Sequence, residues 1–263
     1  MTEIVVTPTV KAVLEAQDAY RVAPPALLPR TFRAVAGPME KLTHSLIPPE
    51  VIEMAIRSAD WAASSTIRNA AIDHDFSDLE ACEAAVADVR RWAMGYAVTG
   101  GGAAGVFGAL GLMVDVPATV ALALRTTRLI GLSYGFGAAT EAERVYILDV
   151  LQLAGANSRE QRADAIDRLA RGRAAMENKD WQKIARLAGQ TTGSVAATKR
   201  VAAVLGVNLS TRKMAQLAPV IGAAVAAGVN AAFQKDVADA AQFAYRARWL
   251  EANERILEGQ TGT

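Results

Sequence analysis

The chain has two histidines, and only one of them lies beside other groups that bind metals. His74 stands between Asp73 and Asp75 in the stretch AIDHDF. Imidazole and carboxylate groups are common metal ligands, so this trio could hold an ion weakly. A polar stretch of this kind is more typical of a solvated loop that connects two helices. We therefore predict no metal site and no metal-assisted chemistry.

No catalytic motif is present elsewhere. The chain lacks H-E-x-x-H and G-x-S-x-G, and its single cysteine, Cys82, has no histidine at a recognisable spacing. Three acidic pairs are expected on solvated helix faces: Glu53 with Asp60, Glu80 with Glu83, and Glu141 with Glu143. No nucleophile and base can be assigned, so we predict no catalytic residues and keep an uncharacterised hydrolase as a distant alternative.

Three glycines form the spacing of a dinucleotide-binding loop. Gly100, Gly102 and Gly105 match G-x-G-x-x-G, which needs a strand before it and an acidic residue about 20 positions later. The preceding RRWAMGYAV is typical of a helix, and Asp115 follows too early. No Walker A lysine is present either. We therefore predict no nucleotide and no other cofactor.

The same glycines belong to an uncharged stretch, residues 93–114. Its 22 residues approach the length of a membrane span, but seven of them are glycine. Glycine disfavours a helix by about 1 kcal/mol relative to alanine, and the flanking Asp115 and Arg125 would be costly in hydrocarbon. The pattern favours a buried helical hairpin over a span. In it, Asp115 caps a new helix that ends near residues 135–137, and Gly105, Gly108 and Gly111 face a neighbouring helix.

A second uncharged stretch covers residues 214–234. Pro219 suits a helix start, and Gly222, Ala226 and Asn230 then recur at i,i+4 spacing. A buried asparagine must find hydrogen-bond partners. Asn230 is therefore expected either to satisfy a helix terminus or to contact the head group of a ligand. Residues 235–259 are predicted to form a separate, amphipathic final helix.

Composition predicts an all-α fold. Of the 263 residues 52% are hydrophobic but only 6% aromatic, and alanine and leucine favour helix. We predict one helical bundle domain, residues 51–258, around the glycine- and alanine-rich hairpin. Residues 1–50 are predicted to form an N-terminal helix and a proline-rich connector. The net charge of +1 provides no field that would attract nucleic acid.

The order of several motifs resembles the EcsC-like proteins of bacteria. The resemblance covers residues 52–251 and comprises a glycine-rich run, an Asp-x-Pro segment, an arginine-bearing helix that ends in Tyr-Gly, then Pro-x-x-Gly-Ala, an asparagine and Arg-x-Leu. Its residues are Asp115, Pro117, Arg125, Tyr134, Gly135, Pro219, Gly222, Ala223, Asn230, Arg248 and Leu250. The resemblance implies a helical fold, no known catalytic mechanism, and a membrane transport system as a candidate partner.

These observations predict a non-catalytic protein that binds a lipid or another long apolar ligand in a hydrophobic cavity and associates with a membrane surface. The candidate ligand-binding residues are Phe107, Asp115, Arg125, Arg128, Tyr134 and Asn230. Arg125 is expected to be at least partly buried against a carboxylate or a helix C-terminus. The N-terminus has no pattern of a secretory signal, and one cysteine fits a reducing cytosol, so we expect a cytoplasmic location, in part at the inner membrane face.

The alternative is a helical scaffold that binds no ligand. In that interpretation the small-residue faces serve core packing or contacts with a second copy of the chain. Both interpretations predict the same fold, so they differ only in what the uncharged stretches contact.

Overall fold

The computed structural model describes residues 8–24, 47–66, 73–104, 108–137, 140–177, 192–214 and 222–260. Within these ranges the chain forms eight α-helices and no strand, which confirms the predicted all-α class. The helices are α1 Pro8–Val22, α2 Pro49–Thr66, α3 Leu79–Ala104, α4 Gly108–Ser133, α5 Glu141–Ala154, α6 Arg159–Glu177, α7 Thr192–Met214 and α8 Gly222–Gln260.

The last helix, α8, is the centre of the bundle. It packs against α3, α4 and α5, and makes smaller contacts with α1 and α7. Its buried residues are not confined to one stripe, as expected for a helix surrounded by others. Several of them are alanines that allow neighbouring helices to approach closely: Ala238, Ala240, Ala241 and Ala244. The outer layer comprises α2, which packs on α4 and α7, and α6, which packs on α5.

Polar contacts fix the direction of α3 relative to α8. Arg246 pairs with Glu83, and Asp239 pairs with Arg90 at 2.6 Å. Seven residues forward along α3, from Glu83 to Arg90, thus correspond to seven residues back along α8, from Arg246 to Asp239. The two helices are therefore antiparallel.

The direction of α4 relative to α8 is the opposite. The Asn230 amide donates to Asp115 at 3.3 Å, and the Gln234 amide donates to the Thr119 carbonyl oxygen at 3.3 Å. Four residues forward along α4, from Asp115 to Thr119, correspond to four residues forward along α8, from Asn230 to Gln234. These two helices are therefore parallel. The beginnings of α4 and α8 and the end of α3 consequently lie at the same end of the bundle.

The predicted helix start at Asp115 is wrong. Helix α4 begins at Gly108 and continues through Asp115 and Pro117 to Ser133. A proline inside a helix costs about 3 kcal/mol, because it removes a hydrogen bond and crowds the preceding turn. Burial offsets this cost: Asp115, Val116 and Val120 are all buried on both sides of Pro117. The predicted close packing of the glycine face at 105–111 lies outside the described side chains.

The predicted break between residues 234 and 235 is also wrong. One helix, α8, runs from Gly222 to Gln260, because the sequence around Lys235 contains no glycine or proline that would end it. Helix α7 likewise continues through Gly206 to Met214. The proposed helix start at Pro219 lies outside the described residues.

The end of α4 matches the prediction, because Gly135 adopts a positive φ of 82°. The Phe136 amide donates to the Gly131 carbonyl and the Gly135 amide to the Leu132 carbonyl, at 2.9 Å each. This is the Schellman arrangement, in which glycine avoids the strain that a side chain would introduce. The Tyr-Gly motif thus ends the helix at a fixed residue.

Two positions have the sequence spacing of a capping box, Ser77 with Glu80 and Thr140 with Glu143, and each spacing predicts that its first residue caps a helix. Thr140 caps α5, and its hydroxyl accepts a hydrogen bond from the Glu143 amide at 3.2 Å, as its spacing indicates. Ser77 does not cap α3. The Asp78 carboxylate, one residue later, accepts from the Glu80 amide at 2.9 Å. Asp78 is as good a cap as serine, and sequence alone does not choose between the two.

Two glycine substitutions test the packing of α4 on α8. A Cβ at Gly131 would lie 2.7 Å from Cζ of Tyr245, whose ring is packed beside Tyr146 and Phe136. We expect Gly131→Ala to lower the free energy of unfolding by about 1–3 kcal/mol. Gly95→Ala in α3 is the control, because nothing lies within 4 Å of its Cβ position. It should stabilise the fold by about 0.5–1 kcal/mol. Urea denaturation measures both, and equal effects would contradict the described contact.

Candidate functional site

The two uncharged stretches lie together in the structure, although 99 residues separate them in the chain. The helix directions place residues 93–104 of α3, 108–114 of α4 and 222–230 of α8 at one end of the bundle. None of these residues carries a charge. We call this region the uncharged end. Among the helices that the structure describes, none combines the length and hydropathy needed to cross a bilayer.

Exposed aromatic and apolar side chains lie at the base of the uncharged end. Trp92, Tyr96 and Val98 on α3 are exposed to 38%, 58% and 48%. The rings of Trp92 and Tyr96 are neighbours, with their centroids 5.9 Å apart. Large apolar groups are normally found singly on a protein surface, whereas these three occupy two turns of one helix.

Arg125 lies beside this aromatic pair, and the prediction that it is buried against a carboxylate is wrong. The residue is exposed, and its guanidinium lies over the Trp92 ring, 4.9 Å from the centroid. Arg125 and Ala118 are both exposed and are seven residues apart, so they share the outward stripe of α4. The nearby Arg91 side chain is 78% exposed and pairs with the Asp88 carboxylate, so the added positive charge beside the aromatic pair comes mainly from Arg125.

The structure brings together two of the predicted ligand-binding residues, Asp115 and Asn230. Both are buried, and the Asn230 amide donates to the Asp115 carboxylate. Asn230 lies eight residues inside α8, so it does not satisfy a helix terminus. The pair links the two blocks of the sequence across the contact of α4 with α8, at the base of the uncharged end.

The next predicted residue, Tyr134, lies far from that pair. It is 19 residues beyond Asp115, about 28 Å along the direction of α4. Its hydroxyl is buried and donates to the Glu83 carboxylate. Burial and the negative charge of Glu83 raise the pKa of Tyr134 above its usual value, so the hydroxyl remains protonated. Arg128 is buried in α4, and Phe107 lies outside the described residues. Tyr134 therefore does not lie beside the pair of Asp115 and Asn230, and a ligand site formed by the six residues stays a prediction.

Glu83, which was expected to be solvated, is instead a major acceptor of side-chain hydrogen bonds between α3 and α8. It receives the Tyr134 hydroxyl, the Gln242 amide at 2.8 Å, and both Nε and Nη2 of Arg246. A signal for this existed in the sequence. Arg246 and Arg248 lie in a mostly apolar segment, and buried arginines require carboxylate partners.

Arg248 has an equivalent partner in Glu143, another residue that was expected to be solvated. Its guanidinium donates to both oxygens of Glu143 at 2.8 Å. It also lies over the rings of Phe136 and Tyr146, at 4.0 Å and 5.1 Å from their centroids. This bidentate contact fastens α8 to α5 and gives the Arg-x-Leu motif a structural role.

His74 takes part in a structural contact. Its Nε2 donates to the Ser133 carbonyl oxygen at 2.9 Å, at the end of α4. In the part of the chain that the structure describes, no group of three or more histidine, cysteine, aspartate or glutamate side chains is arranged to hold a metal ion.

The comparisons with known proteins agree with the resemblance seen in the motifs. The model of the EcsC protein family matches residues 15–250, which is most of the chain. The chain therefore belongs to the EcsC protein family. Neither the curated proteins nor the solved structures contain a significant match.

Replacing Glu83 tests its role as the common acceptor. Glu83→Gln removes the charge that neutralises Arg246, and both side chains are less than 20% exposed. Breaking such a pair leaves a buried charge, so we expect a loss of about 3 kcal/mol in the free energy of unfolding. The control is Glu141→Gln, since its pair with Arg144 is exposed and should contribute under about 0.5 kcal/mol. Similar losses in both variants would contradict the assignment.

Proposed function

We propose that this protein attaches to the surface of a membrane by inserting its uncharged end into one leaflet, and that it binds lipid there without catalysis. The membrane face would be the cytoplasmic one. The observation that carries the proposal is the meeting of two uncharged stretches at one end of the bundle, beside exposed aromatic side chains and arginines.

The length of the uncharged end supports shallow insertion. From Gly108 to Asp115, α4 extends about 10 Å beyond the pair of Asp115 and Asn230, and α8 extends about 12 Å from Gly222 to that pair. Interfacial helices typically enter the head-group and acyl boundary to a depth of about 5–10 Å. The uncharged end is therefore long enough to enter one leaflet.

The side chains around the uncharged end have the chemistry of a membrane interface. Tryptophan and tyrosine favour that region because they combine an apolar ring with a polar group, as Trp92 and Tyr96 do. Arginines meet anionic head groups, at about 1 kcal/mol per charge near the surface. Arg125 lies over the Trp92 ring, about 15 Å along α4 from Asp115, so it would face the charged surface of the membrane.

The same charges make pairing with a second copy the less favoured alternative. If two copies paired side by side through the exposed rings of Trp92 and Tyr96, the Arg125 side chains of the two copies would approach each other. Like charges that approach in this way oppose association. A membrane that contains anionic lipid has the opposite sign and attracts them.

Two acidic groups of the bundle support a binding role over a catalytic one. Glu83 and Glu143 each accept bidentate hydrogen bonds from an arginine. Both oxygens of each carboxylate are occupied by these bonds, so neither residue is placed to contact a substrate. The predicted hydrophobic cavity for a long apolar ligand stays a prediction.

A charge placed at the base of the uncharged end tests the proposal. Val98→Glu changes an exposed residue, so the fold should persist, but a carboxylate entering hydrocarbon should abolish binding to vesicles. Co-sedimentation with vesicles of mixed phosphatidylglycerol and phosphatidylcholine measures the bound fraction. We expect the unmodified chain to bind these vesicles, and to bind pure phosphatidylcholine more weakly because the arginines then meet no anionic head group.

The matched control is Val195→Glu. Val195 is 39% exposed and lies 19 residues, or about 28 Å, before the end of α7 at Met214. The Val195→Glu variant should bind vesicles as the unmodified chain does. Equal binding by both glutamate variants, or no binding by the unmodified chain, would overturn the proposal. Dimers that dissociate only in Val98→Glu would favour the scaffold.

A further inference from the structure

A polar cleft lies on the side of the bundle, away from the uncharged end. Its volume is about 210 Å³, and it is bounded by the end of α1, the end of α5, the first turn of α6 and the middle of α8. Its polar lining consists of Tyr20, Arg162, Lys235, Asp236 and Asp239. This size suits a small polar ligand better than a drug-sized or lipid molecule.

Arg162 is the unusual residue of this cleft, because it is a buried cation that forms no ion pair with a carboxylate among the described residues. It is only 8% exposed. Its Nη2 donates to the Tyr20 carbonyl oxygen at 2.7 Å, and its guanidinium lies over the Tyr20 ring, 3.9 Å from the centroid. Its Nε has no hydrogen-bond partner among the described residues. A buried charge is costly unless it is neutralised, so an anion is the missing partner.

The aspartates of the cleft do not supply that anion, because each is engaged by another cation. Asp236 accepts from Arg212 at 2.5 Å. Asp239 accepts from Arg90 and from Lys235 at 2.6 Å each. Among the residues that line the cleft, Arg162 and Lys235 balance Asp236 and Asp239 in charge. Arg212 and Arg90, which do not line the cleft, pair with the two aspartates and add two positive charges to the group.

We propose that the cleft binds the phosphate group of a small soluble compound, with Arg162 and Lys235 contacting the phosphate oxygens. A guanidinium presents a planar set of donors that matches phosphate, and an ammonium adds a point charge. Lys235 is 60% exposed, so it can turn from Asp239 toward an entering anion. This site is separate from the proposed membrane contact and does not depend on it.

The volume of the cleft favours a soluble phosphate over a phospholipid. At about 210 Å³ the cleft suits a phosphate with a short organic group, and it is smaller than the pockets of about 300–1,000 Å³ that bury larger ligands.

Tyr20 links the proposed phosphate site to the packing of α1 against α8. Its ring stacks on Phe243 at a centroid distance of 4.6 Å, and the Gln17 amide of the same helix donates to the Phe243 carbonyl. Burial raises the pKa of Tyr20 to about 12, so its hydroxyl remains protonated at neutral pH and can donate to an oxyanion. Because α1 forms one wall of the cleft, a bound phosphate would hold α1 against the bundle.

Calorimetric titration of the full chain with glycerol 3-phosphate tests the proposal, with glycerol as the neutral control. We expect glycerol 3-phosphate to bind and glycerol not to bind. Lys235→Gln should weaken binding about fivefold, and Arg162→Gln by at least about thirtyfold. Lys199→Gln, an exposed change on α7, should leave the affinity unchanged. Slower hydrogen exchange of α1 amides on addition of glycerol 3-phosphate would confirm the predicted link.

Vesicles that contain phosphatidic acid separate the two sources of phosphate. If glycerol 3-phosphate does not bind, but phosphatidic acid vesicles bind in a way that Lys235→Gln weakens and Lys199→Gln does not, the phosphate site holds and its source is a lipid. If neither probe distinguishes Lys235→Gln from Lys199→Gln, the proposal is wrong. Lys235 is exposed, so this comparison remains valid even if Arg162→Gln fails to fold.

Discussion

The carboxylate of Glu83 receives four donor atoms from Tyr134, Gln242 and Arg246, and the remaining architecture depends on the register that these bonds fix. Alanine-rich helix faces are smooth, so apolar packing alone discriminates weakly between neighbouring registers of α8. Directional bonds to a charged group supply that discrimination, because a shift of one residue would leave buried donors unpaired. The bonds from Arg248 to Glu143 fix the register of α8 against α5 in the same way, and the buried bond between Asn230 and Asp115 fixes it against α4.

One consequence of this register is the position of the uncharged end. Since α3 is antiparallel and α4 parallel to α8, two stretches that are distant in the sequence meet at one end, and the ion pairs of α8 described above lie in its middle and toward its other end. The membrane proposal follows from this separation of polar and apolar surface along the helix axes. The cleft at Arg162 lies within the polar part, and its predicted ligand is a soluble anion.

Local signals in the sequence predict local structure well in this chain. The cap at Thr140, the stop at Gly135 and the helical class all follow from residues close together, and all three are confirmed. The sequence-based predictions are wrong where contacts between residues far apart in the chain determine the structure. Burial against α8 carries α4 through Pro117, and Arg125 projects outward because its neighbours on α4 are the residues that pack. The arginine partners of Glu83 and Glu143 are Arg246 and Arg248 on α8, more than 100 residues away, and helical periodicity carries no information over that distance.

A distance measurement tests the register directly and requires no lipid. Val98 on α3 and Gly228 on α8 are both exposed, and spin labels at these two positions would sit on neighbouring helices at the uncharged end. Packed helices have axes about 8–10 Å apart, so electron paramagnetic resonance should give a narrow label separation below about 25 Å. The native Cys82 is buried and can be replaced by alanine beforehand. A broad or much longer distribution would show that the two uncharged stretches do not meet and would contradict the account.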